Sequence, residues 1–297
     1  MSSVWKSAAV LVTALSLTVA QVPALAQAAA KTAEKQAYEP HVGQPGKDVV
    51  WVPTPEALVE RMLEMARVTS KDYVVDLGSG DGRTVIMAAQ KYGVNALGIE
   101  YNPDMVALSV KAAAKAGVSD KAKFIQADIF ETDFSKATVL TMYLLPALNV
   151  KLRPRILDMR PGTRVVSHAF NMEDWAPDQT ATVEGRNAYL WIVPAKVQGS
   201  WAVSVPAGNG DHKWRIALAQ TFQKISGTAT REGKSYPLIE TRLRGAEIAF
   251  AFVDGSGVKR RFSGRVAGAS MEGTTTTQGG AKARWVATPA ATPAKAS

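Results

Sequence analysis

The sequence contains no cysteine and only three histidines in 297 residues. The absence of cysteine excludes disulfide bonds, thiolate zinc sites, iron–sulfur clusters and a cysteine nucleophile. The histidines, His41, His168 and His212, lie far apart and lack the paired spacing of a histidine metal site. The sequence therefore predicts chemistry that depends neither on thiols nor on a resident metal ion.

The first two thirds of the chain carry no net charge. Residues 196–297 contain 15 Lys and Arg against 6 Asp and Glu, which accounts for the whole net charge of +9. A neutral portion followed by a basic one predicts two modules, the second suited to an anionic partner such as a membrane surface. A solvated basic face explains the same charge without a partner. With 46% hydrophobic residues, the chain is too apolar to be disordered throughout.

The N-terminus carries one charge before an apolar run from Ala8 to Ala20, about half the ~20 residues that span a bilayer as a helix. Ala24 and Ala26 provide the small side chains of a signal-peptidase site. We therefore expect residues 1–26 to be a cleaved signal peptide that directs export to the periplasm or cell envelope. The alternative is an uncleaved membrane anchor that leaves the catalytic domain in the cytoplasm.

Residues 48–195 alternate predicted strands and helices, whereas residues 27–47 have no apolar period and are predicted to be a flexible linker. Thr54 and Pro55 have the composition of a helix start, a hydroxyl cap followed by proline. The predicted strand at 73–76 is apolar on both faces, as in a parallel strand covered by helices. This alternation predicts a doubly wound, Rossmann-like α/β sheet with its ligand at the carboxyl ends of the strands.

Glycines follow the first strand in the run Asp76-Leu77-Gly78-Ser79-Gly80-Asp81-Gly82-Arg83. Glycine at alternate positions lets a ligand approach the backbone, and Gly82 opens a helix whose amides would face that ligand. A dinucleotide fingerprint requires glycine where Arg83 stands. Asp76 and Asp81 place negative charge where a diphosphate would lie. These carboxylates favour a cofactor with an ammonium and a sulfonium group.

Two further carboxylates follow the next two strands. Glu100 ends the second strand, 24 residues beyond Asp76, where a carboxylate can accept both hydroxyls of a ribose. Asp128 ends the third strand beside Ile129, a combination suited to an adenine ring and its amino group. Together with the glycine loop, these acids predict S-adenosylmethionine as the cofactor, with its methionyl group near Asp76 and Gly78.

These motifs resemble the class I, or seven-strand, S-adenosylmethionine-dependent methyltransferases over about residues 50–193. A narrower similarity is to bacterial relatives of the mitochondrial protein-lysine methyltransferases that modify the ATP synthase c subunit and the adenine nucleotide translocase. Besides the glycine run, the segments that carry it are Trp51-Val52-Pro53-Thr54-Pro55, Tyr143-Leu144-Leu145-Pro146 and Asp174-Trp175-Ala176-Pro177-Asp178. The resemblance implies methyl transfer to a protein lysine.

By this resemblance, the segment 52–55 would close over the cofactor and the segment 143–146 would line the acceptor side. The candidate cofactor-binding residues are Pro53, Thr54, Asp76, Gly78, Ser79, Gly80, Asp81, Gly82, Glu100, Asp128 and Ile129. The candidate catalytic residues are Tyr143, Pro146 and Trp175. An apolar mouth of this kind disfavours the ammonium form of a lysine. The Asn-Pro-Pro-aromatic motif of DNA-base methyltransferases is missing, which argues against DNA as the acceptor.

Residues 196–288 contain short alternating segments separated by glycine-rich turns. Eight strands without helices predict a small antiparallel β-barrel or sandwich. Trp201 and Trp285, in the first and last strands, are expected to fill the core where those strands pair. The basic run Lys259-Arg260-Arg261 is expected to be a solvated strand edge. Residues 289–297 are predicted to be a disordered tail.

The sequence leaves two other functions to consider. S-adenosylmethionine is made in the cytoplasm, whereas the N-terminus predicts export. A non-enzymatic envelope protein, with a retired methyltransferase fold and a basic barrel surface, is therefore the alternative. A nicotinamide-dependent oxidoreductase is disfavoured by Arg83 and by the lack of a proton-donor set. His168 lies on an apolar strand and is expected to be a core imidazole rather than a base.

Overall fold

The computed structural model describes residues 1–2, 38–206, 211–277, 279–280 and 282–290. The predicted signal peptide, apart from its first two residues, and most of the predicted linker and tail lie outside the described residues. From Pro40 onward, the described residues belong to one compact unit. Within the described ranges, no helix has the length and apolar character needed to pass through a membrane.

The first module is a seven-stranded mixed sheet covered by helices. Its strands are β1 (Tyr73–Leu77), β2 (Asn95–Glu100), β3 (Ala122–Gln126), β4 (Val139–Met142), β5 (Arg164–His168), β6 (Gln179–Val183) and β7 (Arg186–Ile192). Its helices are α1 (Glu56–Met65), α2 (Arg83–Tyr92), α3 (Pro103–Lys115) and α4 (Pro146–Leu157). The strand order is β3-β2-β1-β4-β5-β7-β6, with β1 to β5 parallel and β7 antiparallel to both neighbours. The predicted doubly wound sheet is confirmed.

Both faces of the sheet are buried because β1 is apolar at successive positions. Val74 packs into a cluster with Leu58 of α1 and Val85 of α2. Val75 points to the opposite face and packs into a cluster with Leu152 of α4. This alternation of side chains places one core on each side of the strands, and it leaves their carboxyl ends free for a ligand.

Two details of this module differ from the sequence predictions. Helix α1 begins after Pro55 without a side-chain cap. The hydroxyl of Thr54, predicted to be that cap, lies 3.0 Å from Nδ1 of His168 instead. Strand β6 is absent from the predicted strands because its sequence is mostly polar and it pairs with β7 alone, at the edge of the sheet.

Residues 40–47 also differ from the prediction of a flexible linker, because they fold back on the residues that follow them. The Gly43 amide donates to the Trp51 carbonyl at 2.8 Å, and the Trp51 amide donates to the Gln44 carbonyl at 2.9 Å. The Gly46 amide donates to the Val49 carbonyl at 2.9 Å and closes the turn. We call residues 43–51 the N-terminal hairpin, and the first module therefore begins earlier than predicted.

The second module is a nine-stranded antiparallel sheet that curls into a nearly closed barrel. Its strands are β8 (Gly199–Val205), β9 (His212–Thr221), β10 (Lys224–Arg231), β11 (Lys234–Pro237), β12 (Ile239–Arg244), β13 (Glu247–Val253), β14 (Lys259–Ala267), β15 (Ser270–Thr277) and β16 (Lys282–Pro289). The prediction of a barrel is confirmed, with nine strands rather than eight. The additional strand arises because the chain is divided into β11 and β12 after Pro237, which has no amide hydrogen for a ladder.

The barrel core forms where the first and last strands meet, as predicted. Strand β8 pairs with β16, and both Trp201 and Trp285 are buried. The Trp285 indole donates to two carbonyls of the neighbouring strands at 3.2 Å. A Cβ on Gly264 would lie 2.7 Å from the Trp285 ring, so glycine is required there for the indole to lie against the sheet.

Candidate active site

A cavity of about 630 Å³ opens at the carboxyl ends of β1 to β5. Its walls are the loops after these strands and the N-terminal hairpin. This is the position at which doubly wound sheets bind ligands. The volume lies within the range of roughly 300–1,000 Å³ that is typical of small-molecule sites, so a nucleoside cofactor fits the space.

The cavity brings together the predicted cofactor residues, with one exception. Those that line it are Pro53, Thr54, Asp76, Gly78, Ser79, Gly80, Asp81, Glu100, Asp128 and Ile129. Gly82 is not among the residues that line the cavity. Its amide donates to the Ser79 carbonyl at 2.9 Å. A Cβ on Gly82 would lie 2.7 Å from the Phe124 ring and 2.8 Å from Ser109. Glycine at this position therefore permits α2 to pack against β3 and α3.

Glu100 is held in place by backbone amides of two loops. Its Oε2 accepts a hydrogen bond from the Gly80 amide at 2.9 Å, and its Oε1 accepts one from the Asn102 amide at 2.9 Å. Each carboxylate oxygen has a second lone pair, and the side chain lines the cavity. Glu100 can therefore accept the two hydroxyls of a ribose without moving.

Asp76 is a buried carboxyl group at the end of β1. The Thr141 hydroxyl donates to its Oδ1 at 2.7 Å. Burial raises the pKa of Asp76 to about 7, against the opposing effect of hydrogen bonds from Thr141 and Thr84, and the charges of Glu100 and Asp81 add to the increase. Near neutral pH the group therefore exchanges between its two forms, and a cationic ligand would favour the ionised one.

Asp81 contributes less negative charge to the cavity than the sequence suggests, because Arg83 neutralises it. The Arg83 Nε lies 3.0 Å from both carboxylate oxygens, and its Nη2 lies 2.5 Å from Oδ2. The Nη1 of the same guanidinium donates to the Thr54 carbonyl at 3.0 Å. Arg83, the residue that breaks the dinucleotide fingerprint, thus ties the glycine loop to the segment 52–55.

The N-terminal hairpin reaches the predicted adenine end of the cavity through Lys47. Its ammonium forms an ion pair with the Asp128 carboxylate and lies 4.9 Å from the centroid of the Tyr101 ring. The Phe130 amide donates to the other Asp128 oxygen at 2.8 Å. The hydrogen bond from Lys47, together with that amide, holds the pKa of Asp128 below its usual value. The sequence gives no sign of Lys47 because it lies in the predicted linker.

Gly80 allows the hairpin to lie directly on the glycine loop, which leads to a testable prediction. Gly80 has φ of +53°, and a Cβ there would lie 2.6 Å from Nε1 of Trp51. We expect Gly80→Ala to displace Trp51 and to weaken S-adenosylmethionine binding about tenfold. Separately, alanine at this positive φ costs the folded protein ~1–2 kcal/mol of backbone strain. Calorimetric titration and tryptophan fluorescence measure the two effects.

Gly117→Ala is the matched control for this substitution. Gly117 has φ of +71°, and no atom lies within 4 Å of the position of its Cβ. The control therefore imposes a similar backbone cost without a steric clash. Equal cofactor affinities in the two variants would show that the contact between Gly80 and Trp51 does not shape the cavity.

The acceptor side of the cavity is apolar and aromatic. Tyr143, Leu145 and Phe170 line it, and the Tyr143 and Phe170 rings stack with their centroids 6.1 Å apart. The His168 ring packs on Tyr143 at 3.8 Å and bonds to Thr54. Burial lowers the pKa of His168 to about 4, so the imidazole is neutral and fits the expected core role. Phe170 is missed by sequence reasoning because it precedes the Asp174-Trp175-Ala176-Pro177-Asp178 segment of its loop and belongs to no motif itself.

Two of the three predicted catalytic residues do not reach the cavity. Pro146 is the exposed first residue of α4, and its ring starts the helix. Trp175 is fully buried, and its indole donates to Oε1 of Gln223 in the barrel at 3.0 Å. Trp175 therefore joins the two modules and lies outside the residues that line the cavity.

Similarity to known proteins identifies the family of the first module. The family profile described as the ANTKMT methyltransferase domain matches residues 76–179. Over 162 residues the chain is 41% identical to a protein-lysine N-methyltransferase from Saccharolobus islandicus, a match over 52% of this chain and 96% of the relative. The chain belongs to this protein-lysine methyltransferase family. The matched family domain lies within the first module, and the barrel follows it.

Two further relatives of this methyltransferase are mouse enzymes. The chain is 37% identical over 149 residues to the Mus musculus lysine N-methyltransferase of the ATP synthase c subunit, a match over 50% of this chain and 59% of that one. It is 33% identical over 121 residues to the mouse adenine nucleotide translocase lysine N-methyltransferase, a match over 40% of this chain and 52% of that one. The chain thus spans little more than half the length of these two relatives.

A solved structure matches about half of the chain. It is described as an RNA methyltransferase from Salinibacter ruber in complex with S-adenosyl-L-homocysteine, and it is 52% identical. The match covers 49% of this methyltransferase and 96% of that chain, with a TM-score of 0.48.

Proposed function

We propose that the chain transfers a methyl group from S-adenosylmethionine to a lysine side chain of a protein. The observation that carries this proposal is the set of strand-end carboxylates, Asp76, Glu100 and Asp128, around one cavity in a member of this family. Glu100 offers two acceptor oxygens suited to ribose hydroxyls. Asp76 suits the ammonium of the methionyl group, and Asp128 suits the adenine amino group once Lys47 moves aside.

The glycine loop gives independent support for this cofactor. Gly78 has φ of +76°, and a Cβ on it would lie 3.2 Å from the Leu144 side chain. The space that a side chain at position 78 would fill is therefore left open for a cofactor, next to the acceptor wall. When bound, S-adenosylmethionine supplies an electrophilic methyl group on its sulfonium. Gly78 and Leu144 mark the boundary between the cofactor half and the acceptor half of the cavity.

The chain's own residues assist the reaction by desolvation and alignment. A lysine has a reference pKa of ~10.4 and must lose its proton before it can attack. Burial against Tyr143, Leu145 and Phe170 would favour the neutral amine. His168 is not a suitable base, because it is buried and bonded to Thr54. Alignment of the two reactants for in-line displacement can supply up to ~7–11 kcal/mol of the barrier reduction.

Labelling with the methyl group tests the proposal. The protein is incubated with S-adenosylmethionine carrying a radioactive methyl group and with soluble and membrane extracts, which are then treated with protease or ribonuclease. We expect a labelled band that protease removes and that yields methyl-lysine on hydrolysis. Label in RNA, or no transfer above that of the Glu100→Ala variant, would contradict the proposed acceptor.

We also propose that the barrel binds an anionic surface. The predicted basic run is not suited to this role, because Lys259 and Arg261 pair with Glu240 and Arg260 pairs with Asp254. Four other exposed cations flank β8 and form no ion pair within the described part of the chain. They are Lys213 and Arg215 on β9, and Lys282 and Arg284 on β16.

Vesicle cosedimentation tests this second proposal. We expect the wild type to bind vesicles that contain anionic lipid and to lose at least about thirtyfold in affinity when Lys213 and Arg215 are replaced by glutamate, since each basic residue near an anionic surface contributes ~1 kcal/mol. Arg261→Glu, in the acid-paired run, is the control. Equal binding to neutral and anionic vesicles would remove the electrostatic explanation.

The place of action is also a proposal. We propose export by the signal peptide, whose residues lie almost entirely outside the described ranges. A cytoplasmic catalytic domain on an uncleaved anchor would have direct access to S-adenosylmethionine. A non-enzymatic envelope protein would need no cofactor, and it is the outcome if the protein neither binds S-adenosylmethionine nor transfers a methyl group. Mass spectrometry of the mature N-terminus separates cleavage from anchoring.

A further inference from the structure

The turn between β9 and β10 has an unusual residue at its tip. Phe222 and Gln223 form this two-residue turn, between the paired residues Thr221 and Lys224. Phe222 has φ of +53°, in a left-handed region where hairpins favour glycine, asparagine or aspartate. A residue held in such a conformation is strained and persists only where its surroundings hold it. The contacts of the Phe222 ring must therefore supply that stabilisation.

Both turn residues contact the loop that follows β5 in the first module. The Phe222 ring stacks on Trp175, with 5.7 Å between centroids and 17° between planes. Oε1 of Gln223 accepts a hydrogen bond from the Trp175 indole at 3.0 Å, and its Nε2 donates to the Ala176 carbonyl at 2.7 Å. The barrel turn thus contacts the buried Trp175 twice, through stacking on its ring and through the hydrogen bond that its indole N–H donates.

The same loop carries Phe170 into the acceptor wall. From the α4 side, the Asn149 amide donates to the Phe170 carbonyl at 3.2 Å. Arg153 of α4 donates to the Met172 carbonyl at 2.9 Å, and its guanidinium lies 5.4 Å from the centroid of the Phe222 ring. The loop is therefore held between α4 on one side and the barrel turn on the other.

We propose that Phe222 and Gln223 are positioning residues for methyl transfer, which hold the loop at residues 169–176 so that Phe170 stays against the acceptor. This inference rests on the proposed function, in which Tyr143 and Phe170 face the acceptor lysine. Neither turn residue lines the cavity, so their effect reaches the acceptor only through the loop. The barrel then takes part in acceptor recognition in addition to any surface binding.

Two variants test the role of the turn. Gln223→Ala removes both hydrogen bonds, and Phe222→Gly removes the stacked ring while relieving the backbone conformation. Because both hydrogen bonds that hold the loop are lost, we expect amide hydrogen exchange at residues 169–176 to accelerate about tenfold. We expect the apparent KM for the acceptor preparation to rise about tenfold. The Kd for S-adenosylmethionine, measured by calorimetry, should stay within about twofold of the wild-type value, since its site lies across the cavity.

Val203→Ala is the matched control, because Val203 is buried in the barrel core on β8 and not at the turn. It lowers the stability of the barrel without touching the loop. The proposal is wrong if Gln223→Ala leaves exchange or KM unchanged, or if Val203→Ala changes both to the same extent. A wild type that transfers no methyl group would overturn the proposed function instead, and the exchange measurement would still decide whether the turn holds the loop.

Discussion

Replacing Glu100 with alanine is expected to weaken S-adenosylmethionine binding by at least about a hundredfold. The carboxylate is oriented by the Gly80 and Asn102 amides at 2.9 Å, so it meets the ribose without rearrangement. Hydrogen bonds to a charged group contribute ~1.5–3 kcal/mol each, and two of them account for the loss. Calorimetric titration of the folded variant measures it.

Two further variants accompany this measurement, Glu100→Gln as a conservative replacement and Glu131→Ala as a control. The glutamine variant keeps one oxygen as an acceptor, so we expect an intermediate loss of affinity. Glu131 is an exposed carboxylate on the loop after β3 that does not line the cavity, so its removal should leave the affinity unchanged. Full affinity in a folded Glu100→Ala variant would show that the ribose site lies elsewhere.

Asp76 is expected to give both cofactor affinity and stability a dependence on pH near neutrality. With a pKa of about 7 caused by burial, the group is mostly protonated at pH 6 and mostly ionised at pH 8. If the ammonium of the cofactor requires the ionised form, affinity should rise about tenfold between these pH values. Calorimetry at both pH values measures the rise, and Asp76→Asn should bind weakly at both.

The contribution of Asp76 to the free energy of unfolding falls as the pH rises, whereas its contribution to cofactor affinity increases. Its pKa in the folded protein lies above its ordinary value of 3.8, so its contribution to stability is complete below pH 3.8 and is lost as the pH rises to about 7. An increase in pKa of this size corresponds to about 4 kcal/mol. In urea unfolding without cofactor, Asp76→Asn should become more stable relative to the wild type as the pH increases. A difference between the two proteins that does not change with pH would contradict the raised pKa.

Local sequence patterns predict the sheet, the barrel and the cofactor half of the cavity. The runs of apolar residues identify buried parallel strands, and strand ends must meet at one edge of such a sheet. The acids at the ends of β1, β2 and β3 therefore had to lie near each other, and the structure brings them to one cavity. The pairing of the strands that carry Trp201 and Trp285 likewise follows from barrel closure.

The features that sequence reasoning misses depend on contacts between distant segments. Lys47 lies in a segment without an apolar period, and only its ion pair with Asp128 shows its place. Trp175 belongs to a segment that carries the family resemblance, yet its position is set by Gln223, 48 residues later. Gly82 has the spacing of a ligand-binding glycine, but the packing of Phe124 and Ser109 explains it.

A crystal structure of the protein grown with S-adenosylhomocysteine would show whether the strand-end carboxylates bind an adenosyl cofactor. We expect density for the nucleoside in the cavity, with both ribose hydroxyls on Glu100 and the adenine amino group at Asp128 in place of the Lys47 ammonium. Density for the nucleoside elsewhere, or a Lys47 and Asp128 pair that stays closed over an empty cavity at saturating ligand, would contradict this expectation.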